Sequence, residues 1–449
     1  MARLGTVLAC GLVAATRTSA AAALKRSIRL PHATAMVVGT IIGASIFVQP
    51  SEMSVAVPSI PGLLAAWAVA GLLTVVGALI CAELASAFPT TGGVYVFLSK
   101  TLSPAVGFLW AWAMFWSMHS GIIAAIAVIF ARYLGYLVPL SPAGQRGAAI
   151  AAILALSAIN YVGVRPGSRL QSAFTFGKIL AILLMVLLGF LLGSHLPHFA
   201  GGRTTPDLLR QFPRAVAAGL FAFGGWHMVT YVAGETVEAR RTIPAALIIG
   251  AGIVTACYVA LNAAYLYVLP LDVVISSTRV AADAADAVLG SGGGAVMSAL
   301  VVFSTFGALS GIVLLGPRVY FAMAGSTRRL AWLSAVHPRF RTPHRAIAVQ
   351  AAWASALVAT GSYRALFTRV VYTEWIFFAL MAVGLVAARR RADYAARYRV
   401  PGHPVVPLLF AGVSAAIALD ALVSEPSEGL IGLLLVVAGL PVYYLDKRA

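Results

Sequence analysis

A succession of long, largely uncharged apolar runs constrains this chain more than any other feature. They lie near residues 33–57, 62–88, 104–134, 147–164, 168–192, 214–236, 242–270, 287–323, 346–363, 368–388, 404–422 and 428–445. A helix crossing a hydrocarbon core of about 30 Å needs roughly 20 apolar residues, so each run is a candidate span. The run at 104–134 is long enough to cross at a strong tilt. Of the 449 residues, 61% are hydrophobic and only 10% charged, with a mean hydropathy of +0.92. A soluble fold of this size needs far more polar surface. The reading is an all-α integral membrane protein with 12 transmembrane helices.

The formal net charge of +18 raises the question of nucleic acid, and the distribution of charge answers it. Lysines and arginines stand in short clusters between apolar runs, as topology signals do, and form no basic face. No nucleic acid partner is expected; the partner is the lipid bilayer. Alternate connections carry most of the basic residues, including Arg240 with Arg241, Arg389 to Arg391, and Lys447 with Arg448. The other connections hold Arg132, Arg146, Arg203, Arg210, Arg214, Arg279, Arg364 and Arg369. The bias predicts both termini in the cytoplasm. Residues 1–23 read as an N-terminal extension, because their apolar segment is short and Arg17 follows it, rather than as a cleaved signal. The expected organisation is a cytoplasmic extension (1–29), one membrane domain (30–445) and a short cytoplasmic tail (446–449). Cys10, Cys81 and Cys257 are scattered in apolar surroundings without pairing or metal-ligand spacing, so no metal or cofactor is implied.

Two runs carry the makings of a break. The first contains "GTIIGASIFVQP", from Gly39 to Pro50, with a Gly43-Ala44-Ser45 cluster at its centre. The sixth contains "LFAFGGWHMVTYVAGE", from Leu220 to Glu235, with Gly224 and Gly225 beside Trp226 and His227. In lipid every backbone N–H and C=O needs a partner, so irregular backbone survives only inside protein or beside a water-filled cavity. Glycines in membrane helices also serve close packing, which is the competing reading of Gly39-x-x-x-Gly43. Two such segments five helices apart instead point to an inverted-repeat transporter with a midplane site. Half-helix N-termini there present N–H groups to a carboxylate, and unwound carbonyls accept from an ammonium.

These segments resemble motifs of the amino acid–polyamine–organocation superfamily, most closely its L-type amino acid transporter branch and bacterial relatives. "GTIIGASIFVQP" is similar to the family's first-helix motif, and "AELASAFPTTGGVYVFL" (Ala82–Leu98) to the end of its second helix. "LFAFGGWHMVTYVAGETVEARRTIPAAL" (Leu220–Leu247) resembles the sixth-helix signature. "LQSAFTFGKILAI", "GPRVYFAMA" and "YRVPGHPVVPLLF" resemble parts of the fifth, eighth and eleventh. The likeness runs from about residue 30 to 445. It implies a leucine-transporter-type 5+5 inverted repeat (about 33–192 and 214–388) plus two C-terminal helices (about 404–445), with helices 1 and 6 discontinuous. It implies a substrate carboxylate at the backbone N–H groups of Gly43, Ala44 and Ser45, and an amino group at the carbonyls of Ile41, Phe221 and Gly224. The Phe221 ring is expected to gate the site, and Trp226 to line it. The family's usual Gly-Ser-Gly is Gly43-Ala44-Ser45 here, which removes one hydroxyl and adds one Cβ. A bacterial inner (plasma) membrane is the expected location; the sequence names no partner subunit.

Lys178 stands about a third of the way into the fifth run. A charge there costs several kcal/mol unless it faces protein or water. Snorkelling to the interface is one reading. The resemblance supplies the other: an ammonium in place of the sodium ion of sodium-coupled relatives, with Ser304, Thr305 and Ser310 as candidate neighbours. Glu83 and Glu235 are expected to cap helices or pair with Arg240, Arg241 or Lys100, with a proton-carrying role as the alternative. His119 is expected to bond between helices, His227 to shape the pocket or pack, and Arg318 to snorkel or pair at the inner face. A sensor would carry a soluble domain, a channel a filter or charged rings, and a membrane enzyme a catalytic cluster; none is visible. An amine or polyamine substrate calls for carboxylates in the pocket. The breaks hold no acid, so the reading favours a zwitterionic amino acid, carried by a sodium-independent exchanger or proton-linked symporter.

Overall fold

Three helices in this protein begin where Ser and Pro stand together, and several stop where Gly or Pro interrupts an apolar run. A computed structural model describes residues 24, 26–43, 45–193, 208–361, 363–424 and 426–447. The extension to residue 23, Ala44, Arg203 and the last two residues lie outside the described residues. In chain order the helices are α1 (Leu30–Ile41), α2 (Gln49–Ala56), α3 (Ile60–Ala87) and α4 (Val94–Thr101). Next come α5 (Pro104–Leu137, with a π-helical turn at Met114–Met118), α6 (Pro142–Val162), α7 (Val164–Leu192) and α8 (Leu208–Ala222). Then follow α9 (Ala239–Val268), α10 (Leu271–Ser276), α11 (Val280–Leu289), α12 (Gly293–Leu315) and α13 (Pro317–Ala324). The last are α14 (His344–Thr360), α15 (Tyr363–Ala388), α16 (Val405–Ser424), α17 (Pro426–Val437) and α18 (Gly439–Lys447). Among the described residues the one extended pairing is an isolated bridge between Ile28 and Thr236.

The helix starts follow from capping chemistry. Ser141 Oγ accepts from Gly144 N at 3.1 Å with Pro142 in the first turn, and Ser103 Oγ accepts from Val106 N at 3.3 Å before Pro104. Each serine satisfies an N–H that the helix cannot, and each proline sits where its missing N–H costs nothing.

Nine helical segments among the described residues are long and apolar enough to cross a membrane; α1 and Thr373–Ala388 are shorter apolar helices. The run expected at 33–57 is divided here, with α1 ending at Ile41, a 3₁₀ turn at Ser45–Phe47 and α2 starting at Gln49. The run expected at 346–363 is the 17-residue α14. On α7 the side chains of Phe176, Leu180, Leu183, Leu187 and Leu191 point outward, exposed. An apolar stripe of that length fits lipid rather than water. The opposite face of α7 packs on α1, which also touches α9 and α12, so the carboxyl end of α1 is buried from Met36 to Ile41.

At the arginine-rich end the two acids pair differently from the expectation. Glu83 receives Arg389 Nε at 2.7 Å and Nη2 at 2.5 Å, Val400 N at 2.6 Å and Tyr394 Oη at 3.2 Å. Burial, and then the Glu83 carboxylate, push the Tyr394 phenol well up, which keeps it a donor. Glu235 receives Arg318 Nε at 3.0 Å and Nη2 at 3.2 Å, with both side chains fully buried. The expected partners Arg240, Arg241 and Lys100 are exposed. Fully buried carboxylates take the planar two-pronged guanidinium that packing brings to them from distant helices. Arg318 therefore pairs in the interior and does not snorkel.

Candidate functional site

The last turn of any helix leaves carbonyls without intrahelical partners and carries the negative end of the dipole. At the end of α1 three such carbonyls are taken by two side chains. Lys178, 1% exposed on α7, donates from Nζ to Gly39 O at 3.0 Å and Ile42 O at 2.7 Å. Tyr258 on α9 places its hydroxyl 2.9 Å from Ile41 O and 3.0 Å from Ala222 O, the last carbonyls of α1 and α8. One hydroxyl thus joins two helix ends.

The second end is shaped by its own backbone and meets the first through the Thr40 side chain. Gly224 N donates to Phe221 O at 3.0 Å, and Gly225 adopts φ +100°. Only glycine suits Gly225, because that φ is left-handed and a Cβ there would sit 3.1 Å from Thr40 O. Thr40 Oγ1 in turn lies 3.3 Å from Gly225 O, and a 3₁₀ segment continues as Trp226–Glu235.

Where the ends meet there is a cavity of about 30 Å³, room for about one water molecule. Thr40, Ile41, Gly43 and Ser45 line one side; Leu220, Phe221, Gly224, Trp226 and Met228 line the second. Ile122 and Ile126 of α5, Ile312 of α12, and Glu374, Trp375 and Phe378 of α15 close it. The structure thus brings Ile41, Gly43, Ser45, Phe221, Gly224 and Trp226 to one place, while Ala44 lies outside the described residues. A substrate larger than water needs the walls to separate.

Lys178 and Ser304 border a different, narrower space together with Phe47, Met185 and Leu261. Thr305 turns its hydroxyl back to Val301 O and Val302 O at 2.8 and 3.0 Å. Among the described residues no hydrogen bond joins Lys178 to Ser304, whose Oγ has no partner. His119 Nε2 is 2.8 Å from Ile312 O, a contact between α5 and α12. His227 packs edge-on against Trp110, Trp226, Tyr231 and Phe378, off the cavity wall. Gly39 and Gly43 also differ. A Cβ on Gly39 would overlap the Thr175 and Gln171 side chains, so that glycine packs α1 on α7. A Cβ on Gly43 would meet Ala308 Cβ at 3.7 Å, an ordinary contact.

The residue that the sequence reading missed is Glu374. It is 5% exposed, and its Oε1 has no hydrogen-bond partner among the described residues. The breaks themselves hold no acid, yet the cavity receives one from α15, which removes the ground for preferring a zwitterion over a cation. The signal was a carboxylate at the head of "TEWIFFALMAVGLV", an ionisable group inside an apolar run.

A bundle of apolar helices closed around a small buried cavity is compatible with a membrane transporter. The profile of the family described as amino acid permease matches residues 28–431. The serine/threonine exchanger SteT of Bacillus subtilis is 32% identical over 430 residues, covering 95% of this chain and 98% of that protein. Asc-type amino acid transporter 1 of Mus musculus is 28% identical, covering 94% and 81%. The human b(0,+)-type amino acid transporter 1 is 29% identical, covering 94% and 88%. The chain belongs to the amino acid permease family.

Proposed function

We propose that this protein moves an amino acid across the membrane by alternating access, with the cavity between the ends of α1 and α8 as its central site. The observation that carries the reading is the convergence of Gly43, Ser45, Phe221 and Gly224 on one buried cavity. In this reading the chain crosses the membrane twelve times as a 5+5 inverted repeat (about 33–192 and 214–388), followed by two further spans. The segments around Gly43–Ser45 and Phe223–Gly225 are the unwound centres of the first and sixth spans, and both termini face the cytoplasm of a bacterial inner membrane. The substrate carboxylate takes the N–H groups at Gly43, Ala44 and Ser45. Its ammonium takes the carbonyls at Phe221 and Gly224, and shares Ile41 O with Tyr258. Phe221 closes over it.

Transport is sodium-independent. Lys178 supplies a fixed positive charge against Gly39 O and Ile42 O, where a cation would otherwise sit. It opposes an incoming sodium by about 4 kcal/mol for unit charges roughly 4 Å apart at an effective dielectric near 20. The name of the B. subtilis relative, an exchanger, supports exchange over uniport. The test is counterflow of a panel of labelled amino acids and amines into proteoliposomes. Accumulation of an amino acid, equal in sodium and in choline buffer, is the expected result. Amine-only transport, or sodium-dependent uptake, contradicts it.

A further inference from the structure

Three carboxylates are buried among the described helices, and they are treated unequally. Glu83 and Glu235 are held by arginines. Glu374 faces the cavity with Oε1 unpartnered. Among the described residues no lysine or arginine lines that cavity, and Lys178 is committed to α1 in another space. A buried carboxylate without a counter-charge is costly and is relieved by a proton or by a cation that enters.

The surroundings favour a cation as the completing group. Trp375 and Phe378 pack with centroids 5.5 Å apart, Trp226 and Phe378 at 5.0 Å, and Phe221 lines the same cavity. Aromatic faces attract ammonium and guanidinium groups and reinforce a nearby carboxylate. Glu374 also comes from a different helix than the two helix ends. Backbone groups at those ends suit the α-carboxylate and α-ammonium, which leaves the α15 wall for the substrate side chain.

We propose that Glu374 is a specificity-determining residue whose carboxylate receives the cationic side chain of the substrate, so that the protein prefers amino acids bearing a distal ammonium or guanidinium. The inference rests on the transport reading above. Its charge balance is simple: α-carboxylate, α-ammonium, side-chain cation and Glu374 sum to zero. A neutral amino acid supplies no counter-charge to Glu374 and gains nothing from it.

The experiment compares lysine with norleucine, its near-isostere lacking the distal ammonium, in proteoliposome uptake and in competition against a common labelled substrate. Wild type is expected to favour lysine. In Glu374→Gln the lysine-to-norleucine ratio of kcat/KM falls about ten- to a hundredfold, the range for losing a charged hydrogen-bond partner. Glu374→Asp keeps the charge and retains the preference. An unchanged ratio in Glu374→Gln overturns the proposal. So does a variant that loses only its response to an imposed pH gradient, because Glu374 then carries a proton instead. Wild type that takes neutral amino acids alone overturns this inference and leaves the transport reading standing; wild type that takes no amino acid overturns both.

Discussion

The protein buries negative charge in two regions, and they are built to opposite ends. At the arginine-rich end Glu83 and Glu235 meet guanidinium groups at 2.5 to 3.2 Å, and Glu83 gains a backbone N–H and a phenol as well. At the cavity Glu374 Oε1 meets no donor among the described residues. The first region spends its acids on joining helices far apart in sequence, such as α3 to the segment after α15. The second leaves its acid open beside two helix ends whose own carbonyls are already taken by Lys178 and Tyr258. A satisfied pair fixes a structure. An unsatisfied group in a closed cavity leaves a position open.

The largest effect should come from breaking the first region. Replacing Arg318 with Met strands Glu235 in the interior, a loss of about 3–5 kcal/mol for a buried pair that loses one partner. The measurement is the thermal unfolding temperature in detergent, and adding Glu235→Gln to the same chain should recover most of the drop. A lone Arg318→Met variant as stable as wild type would place the pair outside the stabilising frame.

Comparable in size is Lys178→Ala, which removes two charge-assisted bonds worth about 1.5–3 kcal/mol each. Uptake should fall, and wild-type uptake should be the same in sodium and choline. Lys178→Arg should also be impaired, because a planar fork does not reproduce a compact ammonium between Gly39 O and Ile42 O. Full activity in the Ala variant would make the lysine a bystander.

The two glycines of α1 sharpen the contrast between packing and binding. Gly39→Ala forces a Cβ into Thr175 and Gln171 and should cost about 1–3 kcal/mol of stability by overpacking. Gly43→Ala has room in this structure and should keep stability. Gly43→Val and Gly224→Val should abolish uptake with little loss of inserted protein, because the added bulk blocks the approach to the backbone. Equal stability losses at Gly39 and Gly43 would remove the distinction. The smallest effect is Tyr258→Phe, about 1 kcal/mol for one hydroxyl bridging Ile41 O and Ala222 O.

How much of this was legible in the sequence depends on whether a feature is local. Apolar runs and Ser-Pro starts are written in short windows, so the α-helical membrane class was legible. The glycine clusters at 43 and 224–225 flagged the segments that meet at the cavity, and one lysine in an apolar run flagged the contact with α1. Partners were not legible. Arg389 lies 306 residues from Glu83 and Arg318 lies 83 from Glu235, and nearer arginines at 240 and 241 looked equally suitable until packing left them exposed. Glu374 escaped because acids were sought inside the breaks, whereas cavity walls are assembled from several helices. The Ser304 and Thr305 hydroxyls, expected beside Lys178, were placed by the register of α12: Ser304 shares its narrow space without a bond, and Thr305 bonds its own helix.

The central claim is that the space between the ends of α1 and α8 holds the substrate. Ser45, buried on that wall, is replaced by Cys in a chain whose Cys10, Cys81 and Cys257 are alanines, and its alkylation by a small thiol reagent is timed in active proteoliposomes. At substrate ten times its Kd, occupancy should slow the reaction about tenfold by mass action. Alkylation at the same rate with and without saturating substrate would contradict the account.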